Sequence, residues 1–281
     1  MTMQITALYI YPIKSLGGIS LTESILEKRG LAYDRRWMLV DEEGLFISQR
    51  EVPTLALLQP EIIGNRLMIY HRLNKLNPLA IPLDPVPSTA QIQVQVWDAV
   101  CKAQTVSREA DDWFNEALGT SCRLVYMPDS SLRPVNPVYG QPGEMVGFAD
   151  SCPLLIVGEA SVADLNNRLD FPITINRFRP NITFSGGEPY EEESWKDFLL
   201  GEVAIRGMRA CSRCQITTID QETGKIGSEP LRTLSTYRRQ GNKVLFGLHA
   251  GLLVENGRVS TPTIKVGAEI KVIKRVVAQE L

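Results

Sequence analysis

Gln91-Ile-Gln-Val-Gln-Val-Trp97 alternates at every step, with Ile92, Val94 and Val96 pointing one way and three glutamines the other. A period of two predicts a strand with one buried face. Ala110, Trp113, Phe114, Ala117 and Leu118 recur instead at helical spacing, with Ser107 placed to cap the start and Gly119 to stop the end. Gln4 to Tyr11 is rich in β-branched and aromatic residues and halts at Pro12, so it reads as a strand. Lys14 to Gly18 follows as a glycine-bearing turn. Tyr33 to Asp41 reads as another strand, turning at Glu43-Gly44 into a hairpin partner at Leu45 to Ser48.

The second half opens on the apolar run Leu154 to Val157, a strand, and a helix from about Glu159 with Val162, Leu165 and Leu169 on one stripe. Trp195, Phe198 and Leu199 predict a short helix before Gly201. Ser228-Glu-Pro230 predicts the cap of another, with Leu231, Leu234 and Tyr237 inward and Gly241 ending it. Short strands are expected near 181–184, 202–206, 214–219, 243–248 and 268–274. Pro128 to Gly143 holds four prolines and little periodicity, which predicts a boundary. The division is residues 1–127, a linker at 128–145, and residues 146–281. Many short strands and few helices predict an α+β fold, mostly β, with a barrel-like second domain. Strands and helices do not alternate regularly, which argues against a Rossmann sheet.

Composition narrows the class. The 281 residues are 44% hydrophobic and 22% charged, as in an ordinary globular protein, and the net charge of −2 argues against general nucleic-acid binding. No run approaches the length of a membrane helix, and the amino end lacks an export signal. Five cysteines without such a signal predict reduced thiols and a cytoplasmic location.

Two of those cysteines, Cys211 and Cys214, stand at C-x-x-C spacing beside Arg206, Arg209 and Arg213. Nearby positive charge favours the thiolate, the form that attacks electrophiles and binds soft metals. A thioredoxin-type pair should open a helix, whereas Cys214 runs into Gln-Ile-Thr-Thr-Ile, which prefers a strand. Closed zinc and iron–sulfur sites need more cysteines than are grouped here. Small buried core residues remain the plain alternative. Arg177 and Arg179 are expected on one face of an extended segment, where guanidinium forks suit phosphate or carboxylate. The turn Asp150-Ser-Cys-Pro153 can offer backbone N–H groups to an anion.

Taken in order, Tyr11-Pro-Ile-Lys-Ser15, Asp34-Arg35-x-Trp37, Asp150-x-x-Pro153, Arg177-Phe-Arg-Pro-Asn181, Ser194-Trp195, Ala210-Cys-Ser-Arg-Cys214, Gly224 to Pro230, Phe246-Gly247 and Ile264-Lys-Val-Gly267 resemble the MOSC family with its amino-terminal β-barrel domain. Within it the chain is similar to the mitochondrial amidoxime-reducing components and the bacterial YcbX proteins. The resemblance implies a molybdenum cofactor, a pterin with a terminal phosphate and a dithiolene on the metal. It implies Cys214 as metal ligand and Lys14, Ser15, Arg35 and Arg179 around the pterin and phosphate. Asp150, Ser151, Cys152, Ser212 and Arg213 would line the pocket, with Asn181 orienting its neighbours. The implied reaction is reduction of small N-hydroxylated substrates (hydroxylamines, amidoximes, N-hydroxylated bases) to amines.

Some bacterial relatives append a ferredoxin domain, but no cysteine follows Cys214 here. Electrons are therefore expected from a separate protein of flavin-reductase, ferredoxin or cytochrome type. No membrane anchor is expected ahead of the first strand. His249 stands where the mitochondrial relatives carry a tyrosine, so the substrate-pocket contacts are expected to differ there, and Cys152 is a further departure. A general acid must help water leave, and His249 is the candidate. A persulfide carrier on Cys211 and Cys214, or an anion-binding module without catalysis, are the other readings.

Overall fold

The computed structural model describes residues 2–86, 90–253 and 261–276. Strands dominate, with α-helices at Arg108–Leu118, Glu159–Asn166 and Leu231–Tyr237. The fold is α+β and mostly β. A nine-stranded sheet runs in the order Ile270–Arg275, Trp195–Leu200, Val203–Ser212, Lys243–Leu252, Leu154–Gly158, Ile182–Ser185, Gln4–Ile10 and Ile19–Leu21, with the short Arg239–Gln240 strand on Lys243–Leu252. A bridge between Gln4 and Glu269 ties one end of the sheet back to the other and curls it into a barrel. Ile5, Leu8, Trp195, Phe198, Ile205 and Leu248 fill the interior. The first strand pairs with Ile182–Ser185, and Glu23–Glu27 pairs with Thr263–Lys265. Residues 4–31, placed by the contiguous division in the first half, thus supply strands to the second.

The rest of the first half carries a four-stranded sheet, Trp37–Val40, Arg123–Tyr126, Ala99–Thr105 and Gln91–Val96, and a three-stranded one, Leu58–Ile63, Arg66–His71 and Leu79–Pro82. The 91–96 strand buries Val94 and Val96 and exposes its glutamines, as its alternation requires. Ser107 Oγ accepts from Ala110 N at 3.1 Å, and Gly119 ends the helix at φ 64°, where a side chain would be strained.

Several expectations fail for physical reasons. Trp195–Leu200 is a strand, not a helix: its register against Ile270–Arg275 shifts between Trp195 and Phe198, so residues three apart face one core and mimic a helical period. Close passage of Gly207 beside it leaves no room for a Cβ, which would sit 1.9 Å from Trp195 O. Gln215–Thr218 is a 3-10 turn, not a strand, because Thr217 and Thr218 turn their hydroxyls back onto Cys214 O and Gln215 O at 3.0 and 2.8 Å. Residues 32–35 form a turn ahead of Trp37–Val40, and the hairpin partner at Leu45 to Ser48 shrinks to isolated bridges. Within Ser228-Glu-Pro230, as expected, Pro230 holds the cap position of the Leu231–Tyr237 helix and the Glu229 carboxylate accepts from Thr233 N at 3.0 Å. That helix stops before Gly241, at the Arg239–Gln240 strand. Apart from these failures, the proline-rich segment buries Ser131, Arg133, Val135 and Glu144. Among the described residues no helix is long and apolar enough to cross a membrane.

Candidate functional site

A cavity of about 620 Å³ lies between the two halves. Its wall includes Lys14, Ser15, Arg35, Asp150, Ser151, Cys152, Arg179, Asn181, Ser212, Arg213, Cys214 and His249, but not Arg177 or Arg206. Lys14, on the turn after the first strand, is locked by its backbone N–H to Trp37 O at 2.8 Å. Its Nζ donates to Phe148 O at 2.9 Å and to the Asp150 carboxylate. Burial pulls the ammonium down, and Asp150 opposes that pull. Burial pushes the Asp150 carboxyl up, but Lys14 and then Arg50 outweigh it and hold the group well below the usual carboxylate range. Asp150 is thus already engaged by cations and by Trp97 Nε1 at 3.2 Å, so it positions Lys14 and does not itself meet an anion.

Arg35 and Arg179 both lie against the Tyr11 ring, 4.3 and 4.2 Å from its centroid. Both backbones are left-handed, at φ 49° and 55°, an uncommon setting outside glycine. Arg35 pairs with Asp34. Arg179 has no carboxylate partner among the described residues, and burial lowers it to about 10 despite the support of Tyr11. Tyr11 is itself pushed up to about 12 by burial. Arg177 does not share that face. It leaves the Ile175–Phe178 turn towards Asp220 at 2.8 Å. Asn181 is a brace, accepting from Leu155 N and donating to Tyr9 O, both at 3.1 Å.

The two cysteines of the pair meet different surroundings. Cys211 is buried and accepts from Arg213 Nη1 at 2.9 Å. Burial pushes its thiol up, but Arg213 and His249 outweigh that and bring it to about 6. Cys214 is half-buried, and its Sγ accepts from Arg50 Nη2 at 3.1 Å. The expected collar of Arg206, Arg209 and Arg213 therefore does not close on Cys214. Arg206 is taken up by Glu144 in a buried pair at 2.5 Å, and Arg209 lies 4.1 Å over Tyr139. Cys152 is raised to about 12 by burial, so it stays a neutral thiol. Ser151 Oγ sits 3.5 Å from His249 Nε2, while His249 Nδ1 is buried and unpartnered. The Nε atoms of Arg209 and Arg213 are likewise buried without partners.

Chemically the wall combines Lys14, Arg35, Arg50, Arg133, Arg179, Arg209 and Arg213 with only Asp98 and Asp150 as acids. Such a surface calls for an anion. No group of three or more His, Cys, Asp or Glu among the described residues can hold a metal ion alone. The donors present fit a group that brings its own metal ligands and a phosphate, with one thiol to add.

Residues 2–121 match the MOSC N-terminal beta barrel domain and residues 144–271 match the MOSC domain. The chain belongs to the MOSC family. Mitochondrial amidoxime-reducing component 1 of Mus musculus is 34% identical over 244 residues, covering 83% of this chain and 71% of that protein. The Homo sapiens protein of the same name is 32% identical over 281 residues, covering 94% and 81%. Molybdenum cofactor sulfurase of Oryza sativa subsp. japonica is 32% identical over 272 residues, and the chain spans 32% of that longer protein.

In this MOSC chain, sequence reasoning missed Arg50, Arg133 and Trp97. Arg133 sits in the supposed linker and donates to Gly147 O and Ala149 O at 2.6 and 2.5 Å, shaping the wall. Nothing in the local sequence marks these residues, beyond the aromatic that ends the 91–96 alternation.

Proposed function

We propose that this MOSC chain is a molybdenum-cofactor oxidoreductase that reduces N-hydroxylated compounds to amines, with electrons from a separate donor protein. The observation that carries the reading is a half-buried thiol in the wall of a cavity lined by guanidinium groups, one of them, Arg179, without a carboxylate among the described residues. The amidoxime-reducing relatives support the same reading. When bound, the cofactor would supply the two-electron redox chemistry.

The chain's residues do the rest. Cys214 anchors the metal through its sulfur. Lys14, Ser15, Arg35 and Arg179 hold the pterin and its phosphate, and Ser151, Cys152, Ser212 and Arg213 close the pocket around them. Asn181 keeps the adjoining strands in place, as a brace behind such ligands should. Reduction of R–NH–OH to R–NH2 and water takes up two electrons and two protons. His249 supplies a proton to the departing oxygen, from an imidazole on the cavity wall. All five cysteines are free, which favours a reducing compartment such as the cytoplasm.

The test is purification from a cofactor-producing host, followed by metal analysis and benzamidoxime reduction with an artificial donor. Molybdenum near one per chain, lost in Cys214→Ala, is the expected result. A wild-type protein without molybdenum ends the proposal. A second reading, sulfur transfer, is favoured by the acidified Cys211 thiol at about 6 and by the sulfurase relative. It requires a persulfide on Cys211 by mass spectrometry.

A further inference from the structure

Arg50 lies in the first half of the chain, on a turn with unusually many ties. Ser48 Oγ accepts from Arg50 N at 3.2 Å and donates to Glu51 Oε2 at 2.5 Å. The neighbouring Gln49 is buried and donates to Ser15 O at 2.6 Å. From this base the Arg50 side chain crosses to the second half, where Nη2 donates to Cys214 Sγ at 3.1 Å and lies 3.7 Å from Asp150 Oδ2. Its guanidinium carbon rests 4.6 Å from the centre of the Trp97 ring. An aromatic face holds a planar guanidinium in a fixed plane, which an ammonium on a flexible stem would not match.

Trp97 shows why that plane is fixed. It sits in the two-residue turn between Gln91–Val96 and Ala99–Thr105 with φ 55°, a costly backbone setting for an aromatic residue. The residue is 43% exposed and its ring is not part of a core. Even so it is pinned by Nε1 to Asp150 Oδ1 at 3.2 Å, by Gln95 Nε2 donating to its carbonyl at 2.8 Å, and by Phe46 at 5.0 Å. Packing alone gives no reason to hold a half-exposed indole in this way. Holding Arg50 does.

We propose that Arg50 is a positioning residue for Cys214, carried by the first half of the fold and aimed by Trp97. The inference rests on the reading of Cys214 as metal ligand. Arg50 fixes the direction of the sulfur and places a positive charge beside it. Positive charge next to a ligand sulfur favours the electron-richer form of the metal it holds, so it raises the reduction potential. The MOSC domain's thiol is complete only when the other half docks.

The experiment uses the full-length holoenzyme. Arg50→Ala, Arg50→Lys, Trp97→Ala and Trp97→Phe are compared with wild type for molybdenum per chain and for the midpoint potential of the bound metal, with thermal unfolding as the folding control. Arg50→Ala is expected to shift the midpoint to lower potential and to hold less molybdenum. Arg50→Lys should recover part of the shift. Trp97→Ala should move the potential the same way by less, Trp97→Phe should stay near wild type, and Trp97→Ala should add nothing in an Arg50→Ala background. A folded Arg50→Ala protein with wild-type metal content and potential overturns the inference while leaving Cys214 as the ligand. Should Arg50→Ala fail to fold or load, Arg50→Lys and Trp97→Ala decide, and wild-type potentials in both overturn it. A wild-type protein without molybdenum instead removes the parent reading, and this inference with it.

Discussion

Two arginine sites on the same strand show what the cavity is for. Arg206 and Arg209 both belong to Val203–Ser212, three positions apart. Arg206 is buried against an equally buried Glu144, with bonds of 3.0 Å from Nε and 2.5 Å from Nη2. There the protein supplies the counter-charge itself and the site is structural. Around the cavity Arg179 has no carboxylate among the described residues, and Arg209 and Arg213 each keep a buried Nε without a partner. A half-buried cation left without an internal acid is less favourable until an outside anion arrives. The contrast teaches that the cavity wall turns its cations towards an anion, not towards acids of its own.

The largest test of this contrast breaks the structural pair. Glu144→Ala strands Arg206 in the interior and should cost about 3–5 kcal/mol of unfolding free energy, read by urea denaturation. Arg179→Ala should not lower the stability of the cofactor-free protein in the same measurement, which would invert the two sites.

A second test uses pH. The Cys211 thiol is lowered in the fold to about 6 from an ordinary 9.0. A depressed acid stabilises the fold above its unfolded value and loses that contribution as pH falls through the folded one. The stability difference between wild type and Cys211→Ser should therefore grow from pH 6 towards pH 9, by on the order of 2 kcal/mol over the first two units. A flat difference would show that Arg213 and His249 do not act on this sulfur.

Next in size, Arg179→Ala should reduce cofactor retention at least about tenfold after desalting, or about 1.4 kcal/mol, by molybdenum analysis. Unchanged loading would remove the phosphate-clamp role. Smallest is a control far from both sites. Ser107→Ala should cost about 1 kcal/mol through the lost cap and leave metal content unchanged.

Legibility followed the range of the cause. The Arg108–Leu118 helix and the Gln91–Val96 strand could be read because cap, stop and alternation are all local. Trp195–Leu200 was misread because a bulge against Ile270–Arg275, far along the chain, gave a strand the spacing of a helix. Gln215–Thr218 was misread because threonine hydroxyls bonding backwards overrode β propensity. At the site, the residue types and their ordered motifs pointed to one cavity, and Arg213 meets Cys211 as its place beside the pair suggests, but the pairing of Arg50 with Cys214 did not emerge. Of the nearest basic neighbours in sequence, Arg213 turns to Cys211 and Arg209 to Tyr139.

By itself, then, the sequence determined the mostly β class, the local caps and turns, and the stock of thiols and guanidinium groups. Only the folded chain decided which of them meet. Arg50 and Cys214 stand 164 positions apart, and their 3.1 Å contact exists because the two halves meet around Asp150 and Trp97. Hydrophobic period and capping act over a few residues, whereas the direction of a charged side chain is set by whatever the tertiary fold brings beside it.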